Sequence, residues 1–230
     1  MMKVLAFDTS SKALSVAVLN NMECLATVTI NIKKNHSINL MPAIDFLMQS
    51  IDLEPQDLDR IVVAEGPGSY TGLRVAVATA KMLAYTLKID LVGVSSLYAL
   101  TNGFSENDLL VPLIDARRNN VYVGFYQNGD TVKPDCHTSL EEVLQEVGNK
   151  ANVHFVGEVA AFFDQIKKAL PHAKITETLP CAVAIGRKGQ KMESVNVDAF
   201  VPRYLKRVEA EENWLKNHCE TNTEEYIKRV

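Results

Sequence analysis

The chain has 230 residues, 47% of them hydrophobic and 23% charged, with a formal net charge of −4. That length can bury a full core as one domain or two lobes, and the composition is that of a folded globular protein. The acidic balance weighs against a chain that grips nucleic acid unaided, because phosphate contacts call for a basic patch.

The four cysteines, Cys24, Cys136, Cys181 and Cys219, are scattered and form no Cys-x-x-Cys pair. They read as reduced thiols rather than a disulfide frame or a zinc site. Met1-Met2-Lys3 runs straight into an apolar segment with no small-residue cleavage site after it, so no signal peptide is expected. The best apolar run is broken by Lys81, so no membrane span is expected either. These features together predict a cytoplasmic protein.

In chain order, Val4 to Asp8 and Leu14 to Leu19 read as strands, the second ending at Asn20-Asn21, a hairpin turn pair. Leu25 to Ile32 is a third strand. Ser37 can cap a helix carrying Met41, Ile44, Met48 and Ile51 at helical spacing, with Pro42 tolerated near its first turn. Arg60 to Ala64 predicts a buried strand, Leu73 to Leu87 a helix and Leu91 to Val94 a strand. Strands alternating with helices imply an α/β fold.

After Asn102-Gly103 the pattern restarts. Leu109 to Asp115 and Val121 to Tyr126 read as paired strands. Short strands near Val132 and at Val153 to Val156 follow, with helices near Leu140 to Val147 and Ala160 to Leu170. Val208 to Val230 reads as a solvated terminal helix docked by one face. Aligning Asp8 with Asp115 superposes two strand–Asp–turn–strand units, Leu14 falling on Val121 and Asn20-Asn21 on Gln127-Asn128. The pattern suggests duplication.

Three segments are candidates for function. In Asp8-Thr9-Ser10-Ser11, an acid at a strand end followed by small hydroxyl residues can offer backbone N–H groups to a phosphate while the carboxylate holds a metal-bound water. The same residues can equally satisfy their own turn. Gly66-Pro67-Gly68-Ser69-Tyr70-Thr71-Gly72-Leu73-Arg74 invites a phosphate-loop reading and fails it. Leu73-Arg74 follows Gly72 where a P-loop has Lys-Ser/Thr, and the third glycine comes one position late for a dinucleotide fingerprint. These glycines instead suit a tight turn or a close backbone approach. The helix behind them has one apolar stripe of Leu73, Val77, Ala80, Ala84 and Leu87. A second stripe holds Val75, Ala78, Met82 and Tyr85. A helix apolar nearly all round is either deeply buried or covered by a partner, and a partner interface is the reading adopted. The third segment, Asp115-Ala116-Arg117-Arg118, puts Arg117 where it can meet an anion or a partner's carboxylate. His36 has no second His or carboxylate one helical turn away, so no metal site is expected there. No nucleophile–base grouping for catalysis is legible.

Taken together, these motifs resemble the TsaB family, also called YeaZ, of the actin-like, sugar-kinase and Hsp70 ATPase (ASKHA) superfamily. The likeness rests on Leu5 to Ser11, His36-Ser37, Gly66 to Arg74, Gly93 to Leu97, Ile114 to Arg117 and Pro202-Arg203-Tyr204-Leu205. The resemblance implies an α/β fold of two duplicated RNase H-like lobes. Residues 1–103 would form the first lobe, with a mixed five-stranded sheet and helices. Residues 104–205 would form a second, reduced one, and a C-terminal helix at about 206–230 would pack back on the first.

The resemblance also implies a role in making threonylcarbamoyladenosine in tRNA. The chain would serve as a non-catalytic subunit paired with the catalytic TsaD homologue and joined by the ATPase TsaE. It would form a homodimer when alone and reach tRNA only indirectly. The implied interface is Ser69, Tyr70, Thr71, Leu73, Arg74, Val75, Ala78, Thr79, Met82 and Leu83. No cofactor is required on this reading. Weak ATP or ADP binding with Mg at Asp8, Thr9 and Ser10, in an ATPase or kinase-like enzyme, is the alternative; a metallopeptidase is the third and least favoured. TsaD holds its metal with a histidine pair on the helix that here begins near His36, and this chain has one histidine of the pair. Gly157-Glu158 is what remains of the superfamily's second glycine turn.

Overall fold

The structure is a computed structural model that describes residues 1–32, 36–105 and 107–206. The terminal helix expected at Val208 to Val230 lies outside the described residues, as do His218 and Cys219.

The chain opens with β1 (Lys3–Asp8), β2 (Leu14–Asn20), β3 (Glu23–Ile30), α1 (His36–Ser50), β4 (Arg60–Gly66), α2 (Tyr70–Leu87) and β5 (Asp90–Ser95). These strands form one sheet in the order β3-β2-β1-β4-β5. Strand β1 is antiparallel to β2 and parallel to β4, and β5 continues in parallel. The continuous apolar runs of β1 and β4 have a simple cause: both faces of this sheet are covered. On β1, Leu5 and Phe7 face one way, onto Leu40, Ile44 and Leu47 of α1 and Ala76, Val77 and Ala80 of α2. Val4 and Ala6 face the other way, onto Ala182 and Ile185. By contrast β3, at the sheet edge, alternates between exposed and half-buried residues.

The second half repeats the first. It contains β6 (Leu109–Asp115), β7 (Asn120–Gln127), β8 (Asp130–Ser139), α3 (Leu140–Val147), β9 (Val153–Gly157), α4 (Phe163–Ala169) and β10 (Lys174–Glu177). Its sheet order, β8-β7-β6-β9-β10, is the order of the first sheet element for element. The second sheet is as wide as the first, so its reduction lies in the helices, which have 8 and 7 residues against 15 and 18. The alignment of the two hairpins needs one correction. Asp8 pairs with Ser15, whereas Asp115 pairs with Val121, so the second turn is one residue shorter. Asn120, not Val121, stands where Leu14 does.

Three elements differ from their sequence expectation. The short strand near Val132 is a ten-residue edge strand whose polar sequence and Pro134 hid it. Strand β10, with one half-buried residue in four, gave no pattern. Helix α5 (Ala182–Gly189) was missed because two glycines lower its intrinsic propensity. Those glycines let it lie close on the sheet: a Cβ at Gly186 would stand 2.6 Å from a Leu19 methyl carbon. Residues 182–204 therefore return to the first sheet. Phe200 enters the core beneath α1 and α2, and the Val195 N–H donates to the Leu91 carbonyl. The expected second lobe at 104–205 is corrected accordingly: its sheet ends at Glu177.

The lobes meet over a small apolar core that includes Leu97 and Leu100 from the connecting segment and Leu110, Ile114 and Val156 from the second sheet. Beside it the buried Asp135 carboxylate accepts from Ser95 Oγ (2.5 Å) and Tyr126 Oη (2.7 Å). Burial, and the nearby carboxylate, push the Tyr126 phenol far above its ordinary range. Among the described residues no helix is long and apolar enough to cross a membrane.

A buried arginine helps to tie down the returning segment. Arg60 donates from Nη1 to the carbonyls of Gly189 and Met192 (2.9 Å each) and from Nη2 to Asp90 Oδ2 (2.6 Å). Removing it leaves carbonyls without a donor in a buried place. Arg60→Ala is expected to lower stability by about 2–3 kcal/mol in urea titration. An unchanged midpoint would mean that the apolar contacts of α5 and its other hydrogen bonds, such as that from the Ala182 N–H to Ser15 Oγ (3.0 Å), hold it without Arg60.

Candidate functional site

A cleft of about 880 Å³ opens between the lobes. The first lobe supplies the turn after β1 and the turn before α2. The second supplies the turn after β6, with Glu158 beyond β9 and Tyr204 and Lys206 nearby.

The two first-lobe turns are fastened to each other. Thr9 Oγ1 donates to the Gly72 carbonyl (2.7 Å), and the Ser69 N–H donates to the Ser10 carbonyl (2.7 Å). Space at this seam explains the glycines. A Cβ on Gly72 would stand 2.0 Å from the Thr9 carbonyl oxygen, and one on Gly68 2.3 Å from that of Ser10. Ser69 then caps α2, its Oγ accepting from the Gly72 N–H (3.3 Å). The glycine segment is thus a close backbone approach that starts a helix.

Asp8, Thr9 and Ser10, the expected phosphate loop, are all buried. Thr9 spends its hydroxyl inside the fold. Ser10 reaches the cleft wall, and the Ser10 N–H donates to Asp8 Oδ1 (2.6 Å). Asp8 Oδ2 and Ser10 Oγ have no hydrogen-bond partner among the described residues. Burial pushes the Asp8 carboxyl up from 3.8 to about 6, against the lowering effect of neighbouring Ser10. His36 Nε2 lies 3.0 Å from the Ser11 carbonyl, which fixes the ring against this hairpin. Among the described residues no group of three His, Cys, Asp or Glu side chains is placed to hold a metal.

Across the cleft, Arg117, Arg118 and Asn119 are consecutive left-handed residues, with φ of 67°, 55° and 59°. The Arg117 N–H donates to Asp115 Oδ1 (2.7 Å), and the Asp115 N–H to Glu158 Oε2 (3.0 Å). Arg117 therefore shares its wall of the cleft with two carboxylates, and Lys12 and Lys206 also line the cleft.

The expected interface residues divide into four groups. Ser69, Tyr70, Thr71 and Val75 line the cleft. Arg74 is turned back on its own chain, its guanidinium 4.2 Å from the Tyr70 ring centroid and its Nε donating to Tyr204 Oη (3.3 Å). Ala78 and Met82 are open to solvent, with Thr79 and Leu83 half-buried beside them. Leu73 is a correction. It is 0% exposed and cannot contact a partner, because it lies on the stripe that faces the sheet. Sequence reasoning placed Tyr85 on the right stripe without assigning it to the interface, yet it is 70% exposed, and Met82 is 52% exposed. It also missed Ile38 (65%) and Met41 (41%) on α1. The signal was available: Ala78, Met82 and Tyr85 stand at i, i+4 and i+7, and Ile38 and Met41 at i and i+3.

Comparison with known proteins identifies the family. A family model described as "TsaD: tRNA N6-adenosine threonylcarbamoyltransferase" matches residues 23–214. The "tRNA threonylcarbamoyladenosine biosynthesis protein TsaB" of Bacillus subtilis is 38% identical over 227 residues, which cover 94% of this chain and 99% of that protein. The chain belongs to the TsaB family. The Escherichia coli TsaB is 29% identical over 135 residues, 56% of this chain and 57% of that one. Among solved structures, "YeaZ from Pseudomonas aeruginosa" superposes with a TM-score of 0.75 at 26% identity, covering 89% of this chain and all of that one. The activator of 2-hydroxyisocaproyl-CoA dehydratase from Clostridium difficile, with bound ADPNP, superposes with a TM-score of 0.52 at 12% identity, covering 85% of this chain and all of that one. It shares the fold alone. The two duplicated lobes are thus the actin-like arrangement that the sequence resemblance implied.

The Asp8 carboxyl makes a prediction specific to this site. Folded, it binds its proton more tightly than when unfolded, so its contribution to stability is greatest below about pH 3.8 and is lost as pH rises towards 6. Asp8→Asn, which mimics the neutral acid, is expected to match the parent at pH 4 and to exceed it by on the order of 2–3 kcal/mol at pH 8. Urea titrations at both values check this; equal stabilities at pH 8 would show that Oδ2 is charged and compensated.

Proposed function

We propose that the chain is a non-catalytic subunit of the machinery that forms threonylcarbamoyladenosine in tRNA, and that it docks on a TsaD homologue through α1 and α2. The observation that carries this reading is the outward face of the two helices, where Ile38, Met41, Ala78, Met82 and Tyr85 are exposed. Apolar side chains gathered on one face cost free energy in water, and small Ala78 lets a partner helix come close. The names carried by its relatives supply the process and the candidate partner. The ATPase TsaE joins the assembly, tRNA is reached through the partner, and the same face serves a homodimer when the chain is alone.

Met82→Glu tests the reading. The side chain is half in water, so the fold is expected to hold within about 0.5 kcal/mol. Co-elution with the TsaD homologue from the same source is expected to weaken by about tenfold or more in affinity. Leu83→Glu would be a poorer test, because Leu83 also packs against the first core. Normal binding by Met82→Glu would sink the proposal.

A second reading has its own observation. Asp8 Oδ2 and Ser10 Oγ are buried and without partners beside a cleft large enough for a nucleotide. Weak binding of ATP or ADP with Mg in that cleft is expected to be visible in calorimetry and lost in Asp8→Ala. No heat at millimolar nucleotide would end this reading.

A further inference from the structure

A second depression lies at one end of the α1–α2 face, outside the interlobe cleft. It is a groove of about 500 Å³ whose lining includes Ile44, Met48, Leu58 and Leu83. Leu58 opens the approach to β4, so the floor is the edge of the first core itself. Three carboxylates, Asp45, Asp52 and Glu54, share the lining, and no Lys or Arg does. None of the three is in a salt bridge among the described residues; Asp45 Oδ2 accepts only from Gln49 Nε2 (2.9 Å). Nearby Lys3 is already engaged, its Nζ 3.3 Å from Asp57 Oδ1.

An apolar floor under an uncompensated acidic lining has a definite complement. Hydrophobic burial would hold an aliphatic or aromatic side chain, and the carboxylates would hold a cation next to it. Two methionines, Met41 and Met48, line the groove and can adapt to the shape of what enters. The groove is also continuous with the exposed face, since Met41 belongs to both and Leu83 follows Met82.

We infer that this groove is a socket for a partner segment presenting an apolar side chain flanked by Lys or Arg, and that it orients the TsaD homologue on the α1–α2 face. The inference rests on the docking reading above and deepens it. The socket supplies charge selection, which the apolar face cannot.

The test measures the affinity of the purified full chain for the TsaD homologue from the same source, at low and high salt. The variant Asp45→Lys/Asp52→Asn changes two exposed side chains, and Asn tolerates the left-handed backbone of residue 52 (φ 51°). Glu177→Lys/Glu193→Gln makes the same change in net charge away from the groove. The first is expected to raise Kd by about tenfold at low salt, with the gap closing towards about 0.5 M salt; the second is expected to stay within about twofold. Equal effects of the two variants would reduce the result to long-range steering and overturn the socket, and so would an unchanged Kd in the first. A change confined to self-association would assign the groove to a second copy of this chain and overturn it as well. Met82→Glu separates the two proposals. If it abolishes binding while the groove variant binds normally, the docking face stands and the socket falls. If Met82→Glu binds normally, the docking face falls, and the socket that rests on it falls with it.

Discussion

The close approach of two backbone turns at the end of β1 organises the first lobe. Thr9 and Ser10 on one side and Gly68 and Gly72 on the other come together at distances that leave no room for a Cβ. Two hydrogen bonds, from the Thr9 hydroxyl to Gly72 and from the Ser69 N–H to Ser10, close the seam. Its consequence reaches well beyond the turns. The seam sets where α2 begins and how it is rotated about its axis. That rotation turns Leu73, Ala76, Val77 and Ala80 to the sheet and leaves Ala78, Met82 and Tyr85 outside. A chain with a longer side chain at Gly72 would have to push the helix off the hairpin, and the outward face would turn with it.

The same seam bears on the chemistry of the cleft. The hydroxyl of Thr9 is spent on structure and Asp8 is sealed beneath its own turn, so a carboxylate at a strand end becomes a buried acid that burial drives towards neutrality. What faces the cleft from the first lobe is mainly hydroxyl and lysine, while the second lobe offers Asp115 and Glu158 around Arg117. The duplication thus placed an aspartate at the end of each first strand with opposite outcomes: Asp8 is buried, and Asp115 is exposed and accepts from its own turn. A turn one residue shorter in the second lobe, carrying three left-handed residues in succession, accompanies that difference.

The two faces of the first sheet are covered in different ways. One face of the first sheet is covered by α1 and α2, whose outer sides remain apolar. The other face is covered by α5, which arrives from the far end of the chain and is held by Arg60. Because α5 completes the burial on its own side, α1 and α2 carry no share of that task and their outer sides are free to meet a partner. An acid-lined groove lies at one end of that face.

The sequence by itself determined the α/β class, the duplication, the family and the paired periodicities of α2. Apolar residues at fixed spacing are a local signal, and the glycine segment could be excluded as a phosphate loop from residue identities alone. It did not reveal β8, β10 or α5. An edge strand with Pro134, a strand with almost no burial and a helix carrying two glycines owe their conformation to what they pack against. Nor could it say which of α2's two apolar stripes lies inside. Leu73 and Met82 are both apolar and both sit at helical spacing. Only the tertiary structure decided between them, because which stripe meets the sheet depends on where Thr9 lies, 63 residues from Gly72 along the chain.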